Sequence, residues 1–199
     1  MIDTLEGDIG LKNIHLIYSG RGYHIRILDE EIMDSGSDLR SEVLKYVAGA
    51  EVPKLDYSSG IEGNKGFKFE HFIIPIAYPK VFTDRVKFNI QHLAGTENID
   101  GINPKLLKDI IKNRDLLEDN QWGIFKSKIG PIRYKKMVEA MARVNLTTID
   151  AKVSIDLKRI LRLPSSLHSK VSMKCVEVKD REWFDPLQDA VPKFVEDRK

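Results

Sequence analysis

Cysteine, net charge and long apolar runs are all scarce in this sequence, and each shortage excludes something. One cysteine in 199 residues, Cys175, excludes an internal disulfide framework and any cysteine-rich zinc site built from this chain alone. No apolar stretch approaches the roughly 20 residues that a membrane-spanning helix needs. The opening MIDTLEGDIG is acidic and lacks the apolar core of a secretory signal. No internal repeat or low-complexity tract interrupts the chain. A soluble intracellular protein with no membrane partner is the expectation. Hydrophobic residues at 42% and charged residues at 31% are ordinary for a globular chain, which argues against wholesale disorder. The length suits one large domain, or one domain with a small appendage.

The net charge is only +2, but it is unevenly spread. Between Gly123 and Lys174 there are 12 basic residues against Glu139, Asp150 and Asp156, a net of +9. The remainder has 20 basic and 27 acidic residues, a net of −7. A basic segment in an acidic chain suits phosphates or nucleic acid, although a solvated helix face explains it equally well.

Local patterns predict an α+β fold. Asn13–Tyr18 and Tyr23–Leu28 alternate apolar and polar residues around Ser-Gly-Arg-Gly, which predicts a hairpin. Leu39, Val43 and Val47 share a helical face within Asp34–Val47, with Ser35 or Ser37 as N-cap and Gly49 as the stop. Pro53 to Gly66 reads as a long loop, and Phe67–Ile76 is β-prone. Asn103-Pro104 opens a helix running to about Leu117, and Pro131 another running to about Arg143. Leu146–Val153 is a strand candidate in the hairpin's sheet. A short helix over Leu157–Leu163, capped by Ser154 or Asp156, should stop at Pro164. The polar stretch 182–199, with two prolines, is weakly specified.

Two constellations could carry chemistry. In Ser19-Gly20-Arg21-Gly22-Tyr23-His24 the glycines free backbone N–H groups to face an anion. Ser19, Arg21 and His24 add hydroxyl, guanidinium and imidazole donors. Alternation puts His24 and Arg26 on one strand face. The same turn is also explicable by conformation alone. The second constellation is Asp150 followed by Arg162, His168 and Lys170. One carboxylate amid several cations is how phosphoryl-transfer sites are assembled, although an Asp at a strand end is as often a turn former.

Together, and in this order, YSGRGYHIRILDEE and IDAKVSIDLKRILRLPSSLHSK resemble two motifs of the small, catalytic subunit of archaeal and eukaryotic DNA primases. DLRSEVLKYVAG resembles the helix after the first of these, and the resemblance spans roughly residues 8–175. It implies a DNA-directed RNA polymerase that makes short primers from nucleoside triphosphates on single-stranded DNA. By this likeness Asp150 is catalytic and a ligand for Mg²⁺ or Mn²⁺. Ser19, Arg21, His24, Arg162 and His168 bind the triphosphate, and Lys170 does so less strongly. Ser19, His24, Asp150 and His168 should then converge on one cleft. The likeness also implies a primase large subunit as partner and a cytoplasmic, nucleoid-associated place in an archaeal-type cell. Residues 1–181 would be the C-terminal portion of the catalytic domain, with a helical insertion at about 100–145 and a polar tail at 182–199.

Three departures qualify the match. The family's Asp-x-Asp strand, source of two further metal carboxylates, is not in these residues; Asp3, Glu6 and Asp8 do not form that pattern. The family's Cys/His zinc knuckle is missing, so zinc is not expected from this chain. The Ser19–His24 turn is one residue shorter than in many relatives. The chain is read as part of a split or truncated primase small subunit, with the Asp-x-Asp supplied by a partner polypeptide. The alternative is a catalytically inactive homologue that binds nucleotide and nucleic acid in a regulatory or structural role.

Overall fold

A computed structural model describes residues 1–53, 77–150, 155, 158 and 160–196. The chain divides into two compact units, Met1–Ser37 with Asp156–Lys199, and Asp38–Ile155.

The first unit is built on the predicted hairpin. After α1 (Ile2–Gly7), strands β1 (Ile14–Tyr18) and β2 (Tyr23–Ile27) pair antiparallel, with Tyr18 opposite Tyr23 and Ile14 opposite Ile27. A four-residue helix α2 (Glu30–Met33) follows. The third strand comes from far along the chain. Strand β3 (Leu167–His168) pairs with β4 (Met173–Lys174), and β5 (Val176–Val178) then lies antiparallel to β1. The sheet order is β2-β1-β5.

Directly opposed residues of an antiparallel pair share a face, so the register sorts the side chains. Leu16, Tyr18, Tyr23, Ile25, Val176 and Val178 lie on one face. Leu16, Tyr18, Val176 and Val178 join an apolar cluster with Met173, Phe184 and Ala190. Ala190 follows α9 (Pro186–Asp189) and its carbonyl accepts from the Lys174 N–H at 2.7 Å; α10 (Lys193–Glu196) comes last. His15, Ile17, His24, Arg26 and Glu177 share the opposite, charged face.

The second unit is helical: α3 (Ser37–Ala48), α4 (Ala77–Gln91), α5 (Pro104–Asn113), α6 (Asp115–Glu118), α7 (Trp122–Ile129) and α8 (Pro131–Thr147). The Asn103 side chain caps α5 by accepting from the Leu106 N–H at 2.8 Å, with Pro104 in the first turn where no N–H is needed. Phe82, Ile90, Leu106, Ile110, Leu117, Phe125, Met137 and Met141 form the core. Asn145, fully buried on α8, donates to the Gly49 carbonyl at 2.6 Å and accepts from Asn89 at 2.6 Å. That bond ties the end of α3 to α8. Gly49 takes φ +62° there, as expected of a helix-ending glycine.

Two expectations are corrected. Leu146 and Thr147 are the last residues of α8, and Thr148 to Asp150 are outside any strand, so the strand predicted over Leu146–Val153 does not start there. Residues 151–154 lie outside the described residues. Of the predicted helix Leu157–Leu163, residues 160–163 are in no helix, while 157 and 159 lie outside the described residues. The loop at 54–66 and the β-prone stretch at 67–76 also lie outside them. Helices α4 and α7 were not predicted.

Candidate functional site

The turn at the tip of the hairpin is closed by its own backbone. The Ser19 N–H donates to the Gly22 carbonyl at 2.8 Å, and the Ser19 hydroxyl to the same oxygen at 2.9 Å. Tyr18 Oη donates to the Gly20 carbonyl at 3.0 Å. Gly20 has φ +91°, a conformation that costs an L side chain steric strain. Space forbids a side chain as well. A β-carbon at Gly20 would lie 2.6 Å from His168 Cβ and 3.1 Å from the Met173 carbonyl oxygen.

The glycine turn and His168 are therefore in contact, and the strand pairing explains why. Val176 sits opposite Tyr18 at the end of β1, and Met173, just upstream on β4, pairs with His168. His168 and Ser19 are both buried. The His168 Nδ1 accepts from the Lys170 N–H at 3.3 Å. That bond leaves the proton of the neutral ring on Nε2, which suits donation to an oxyanion.

The other predicted donors belong to the same unit. Arg21 is exposed at the turn's tip, and Lys170 is exposed in the β3–β4 turn. His24 is half-buried on the charged sheet face, opposite Ile17. Arg162 is exposed. Its Nη1 donates to the Leu167 carbonyl at 3.1 Å, and its own carbonyl accepts from Arg26 Nη2. Ser19, Arg21, His24, Arg162, His168 and Lys170 thus belong to one unit, as hydroxyl, imidazole, guanidinium and ammonium donors. Such a set suits a polyphosphate, whose oxygens accept and carry charge. Asp150 belongs to the helical unit, exposed just beyond α8.

Two sites that sequence reasoning missed stand near this cluster. Arg26 holds the Arg162 backbone. His15 Nδ1 donates to Glu177 Oε1 at 2.6 Å, joining β1 to β5. The His15 hydrogen bond, with nearby positive charge, holds the Glu177 carboxyl below its usual range. Burial pushes the Cys175 thiol up, against the pull of Arg26 and Arg162. The alternation of HIRI marked Arg26's face, but no sequence signal pointed to its partner.

No group of three His, Cys, Asp or Glu residues that would hold a metal ion occurs among the described residues. Asp150 is a single exposed carboxylate, and the described residues by themselves do not fit a two-metal centre. A cavity of about 520 Å³ lies elsewhere, in the helical unit, lined by Asn98, Asn103, Arg133 and Lys136 among others. It contains none of the predicted site residues. The basic segment is also less free than its charge suggests. Arg133 pairs with Asp109 at 2.6 Å, Arg143 with Asp100 at 3.5 Å and Lys135 with Glu139 at 4.0 Å. No helix among the described residues is long and apolar enough to cross a membrane.

These features define an α+β protein with antiparallel sheets, a helical middle region and a glycine turn packed against His168. The family model described as DNA primase small subunit matches residues 1–180. The DNA primase small subunit PriS of Methanobrevibacter smithii is 73% identical over 198 residues, covering 100% of this chain and 61% of the relative. That of Methanothermobacter thermautotrophicus is 50% identical, covering 100% and 60%. That of Pyrococcus furiosus is 33% identical over 205 residues, covering 96% and 57%. The chain belongs to the DNA primase small subunit family. It spans about three-fifths of the length of the curated relatives it matches.

Proposed function

We propose that this chain supplies the triphosphate-binding part of a DNA primase that makes short RNA primers on single-stranded DNA. The observation that carries the proposal is the close approach of Gly20 to His168, which sets the glycine turn of the first motif against the His168 end of the second. Ser19, Arg21, His24, Arg162, His168 and Lys170 take up the polyphosphate of the incoming nucleotide. Asp150 contributes one carboxylate to a divalent ion, Mg²⁺ or Mn²⁺, which when bound offsets negative charge on the transferring group. Two ions need several carboxylates. The Asp-x-Asp must come from residues beyond these 199, on the same or another polypeptide. A primase large subunit completes the assembly.

Primer synthesis by the purified chain, alone and mixed with a polypeptide carrying Asp-x-Asp, tests this. The chain alone should be nearly inactive, and the mixture active with Mg²⁺ or Mn²⁺. Full activity from these 199 residues alone would show that the remaining carboxylates have been misplaced. Inactivity of the mixture, with nucleotide binding retained, would mark a non-catalytic homologue.

The donors act on phosphate rather than base, so Arg162→Ala should weaken all four nucleoside triphosphates about equally. Loss of one charge-assisted contact costs about 1.5–3 kcal/mol, or about ten- to a hundredfold in affinity. Arg162→Lys should recover part of this, because a point charge replaces a planar fork. Unchanged affinity removes Arg162 from the site.

A further inference from the structure

Residues 160–163 belong to the hairpin unit, and at their end the Leu163 carbonyl accepts from the Ser166 N–H at 3.1 Å and from its hydroxyl at 2.7 Å. They lie in no helix or strand, and Ile160, Arg162 and Leu163 are all exposed, Ile160 at 95%. Yet the segment carries Arg162 and leads directly into His168. The long-range anchor is Arg26, whose Nη2 donates to the Arg162 carbonyl from a position 136 residues away in sequence. Arg26 lies on the same face of β2 as His24. Around it, Cys175 Sγ approaches the Arg162 carbonyl at 3.8 Å. The Cys175 backbone exchanges two 2.7 Å bonds with Ser165 and Ser166. The Arg162 side chain closes the loop onto Leu167.

The Arg26 side chain carries a cost. Its Nε is buried and has no hydrogen-bond partner among the described residues. An unmade hydrogen bond to a buried donor is unfavourable, and an apolar residue would avoid it. Packing alone therefore does not account for an arginine here, whereas a directed bond to a backbone carbonyl does.

We propose that Arg26 is a positioning residue for the triphosphate site: it latches residues 160–163 onto β2 and thereby sets where Arg162 and His168 present their donors. The proposal deepens the nucleotide-binding reading and rests on it. Arg26 acts through the segment and does not itself hold the phosphate.

Two measurements test it. The first is a double-mutant cycle read by titration of ATP, using the chain in complex with whatever supplies the Asp-x-Asp. Arg26→Ala should weaken ATP about threefold or more in the native background and clearly less in Arg162→Ala, where only the effect through His168 remains. Arg26→Lys should restore most of the loss, since an ammonium can still donate to the carbonyl. The second measurement needs no nucleotide. Cys175 is the sole cysteine and is buried, so its labelling by a thiol reagent reports opening of the segment. Arg26→Ala should speed labelling and Arg26→Lys return it towards the native rate. Removing Arg26 also removes a cation that favours the thiolate, so electrostatics alone would slow labelling. Equal ATP losses in both backgrounds would overturn the latch, and so would unchanged labelling in Arg26→Ala. If the native complex binds no ATP, the triphosphate site itself fails, and faster labelling would still establish the latch as a structural element.

Discussion

Gly20 illustrates how a glycine expected from sequence can have a further reason that the sequence does not show. From sequence, the glycines of Ser-Gly-Arg-Gly are there to let backbone donors approach an anion. In the folded chain Gly20 also touches His168 and Met173 and takes φ +91°. That second reason is invisible in the sequence, because the contact depends on a strand pairing far along the chain. Gly20→Ala should therefore cost stability, about 1–3 kcal/mol from the backbone conformation alone. It should also weaken nucleoside triphosphate binding by displacing His168. Urea unfolding and ATP titration of the same variant check both. A variant as stable as the native chain would mean the turn relaxes freely. Asn145 carries a comparable lesson in the helical unit. Its amide satisfies the Gly49 carbonyl from a fully buried position. Asn145→Ala leaves that carbonyl without its partner and should cost about 1–3 kcal/mol, measured as a lower urea midpoint with an unchanged slope.

At the scale of elements, what was legible was local. The hairpin followed from alternation around a glycine turn, the α5 start from Asn103-Pro104, and the α3 stop from Gly49. What was missed depended on distant partners. The last turn of α8, Val144 to Thr147, contains β-branched residues and reads as a strand approach until Asn145 is seen buried against Gly49 and Asn89. Residues 160–163 looked like a basic helix before Pro164. The carbonyl of Arg162 instead serves Arg26, and proline disfavours helical backbone in the residue before it. The third strand, Val176–Val178, is three residues long, too short for periodicity to announce. Its link to β1 through His15 and Glu177 gives a pH-dependent contribution. The Glu177 pKa is lowered in the folded state, so the contact's stabilisation is full above the ordinary carboxylate range. It is lost as pH falls through the lowered folded value. Acid unfolding should accordingly show a smaller loss of stability with falling pH in Glu177→Gln than in the native chain. Identical acid profiles would mean that the contact forms no part of the acid response.

At the scale of the whole molecule, the six donors named from sequence fall in the unit built on β1, β2 and β5. Asp150 is the residue on which the catalytic reading turns, because it belongs to the helical unit rather than to the hairpin's sheet. The family relationship places the chain among primase small subunits, and the proposed chemistry requires Asp150 to act on the nucleotide that the hairpin unit holds. The most direct measurement is ATP affinity with Mg²⁺ or Mn²⁺ and with the metal chelated. It is made on the complex that includes the Asp-x-Asp polypeptide, for the native chain, Asp150→Asn and His168→Ala. Metal should tighten binding to the native complex by about tenfold or more, a charge-assisted effect. Asp150→Asn should lose most of that gain, and His168→Ala should weaken binding with and without metal. Equal metal enhancement in the native and Asp150→Asn complexes would contradict the catalytic reading, since Asp150 would then hold no ion at the nucleotide.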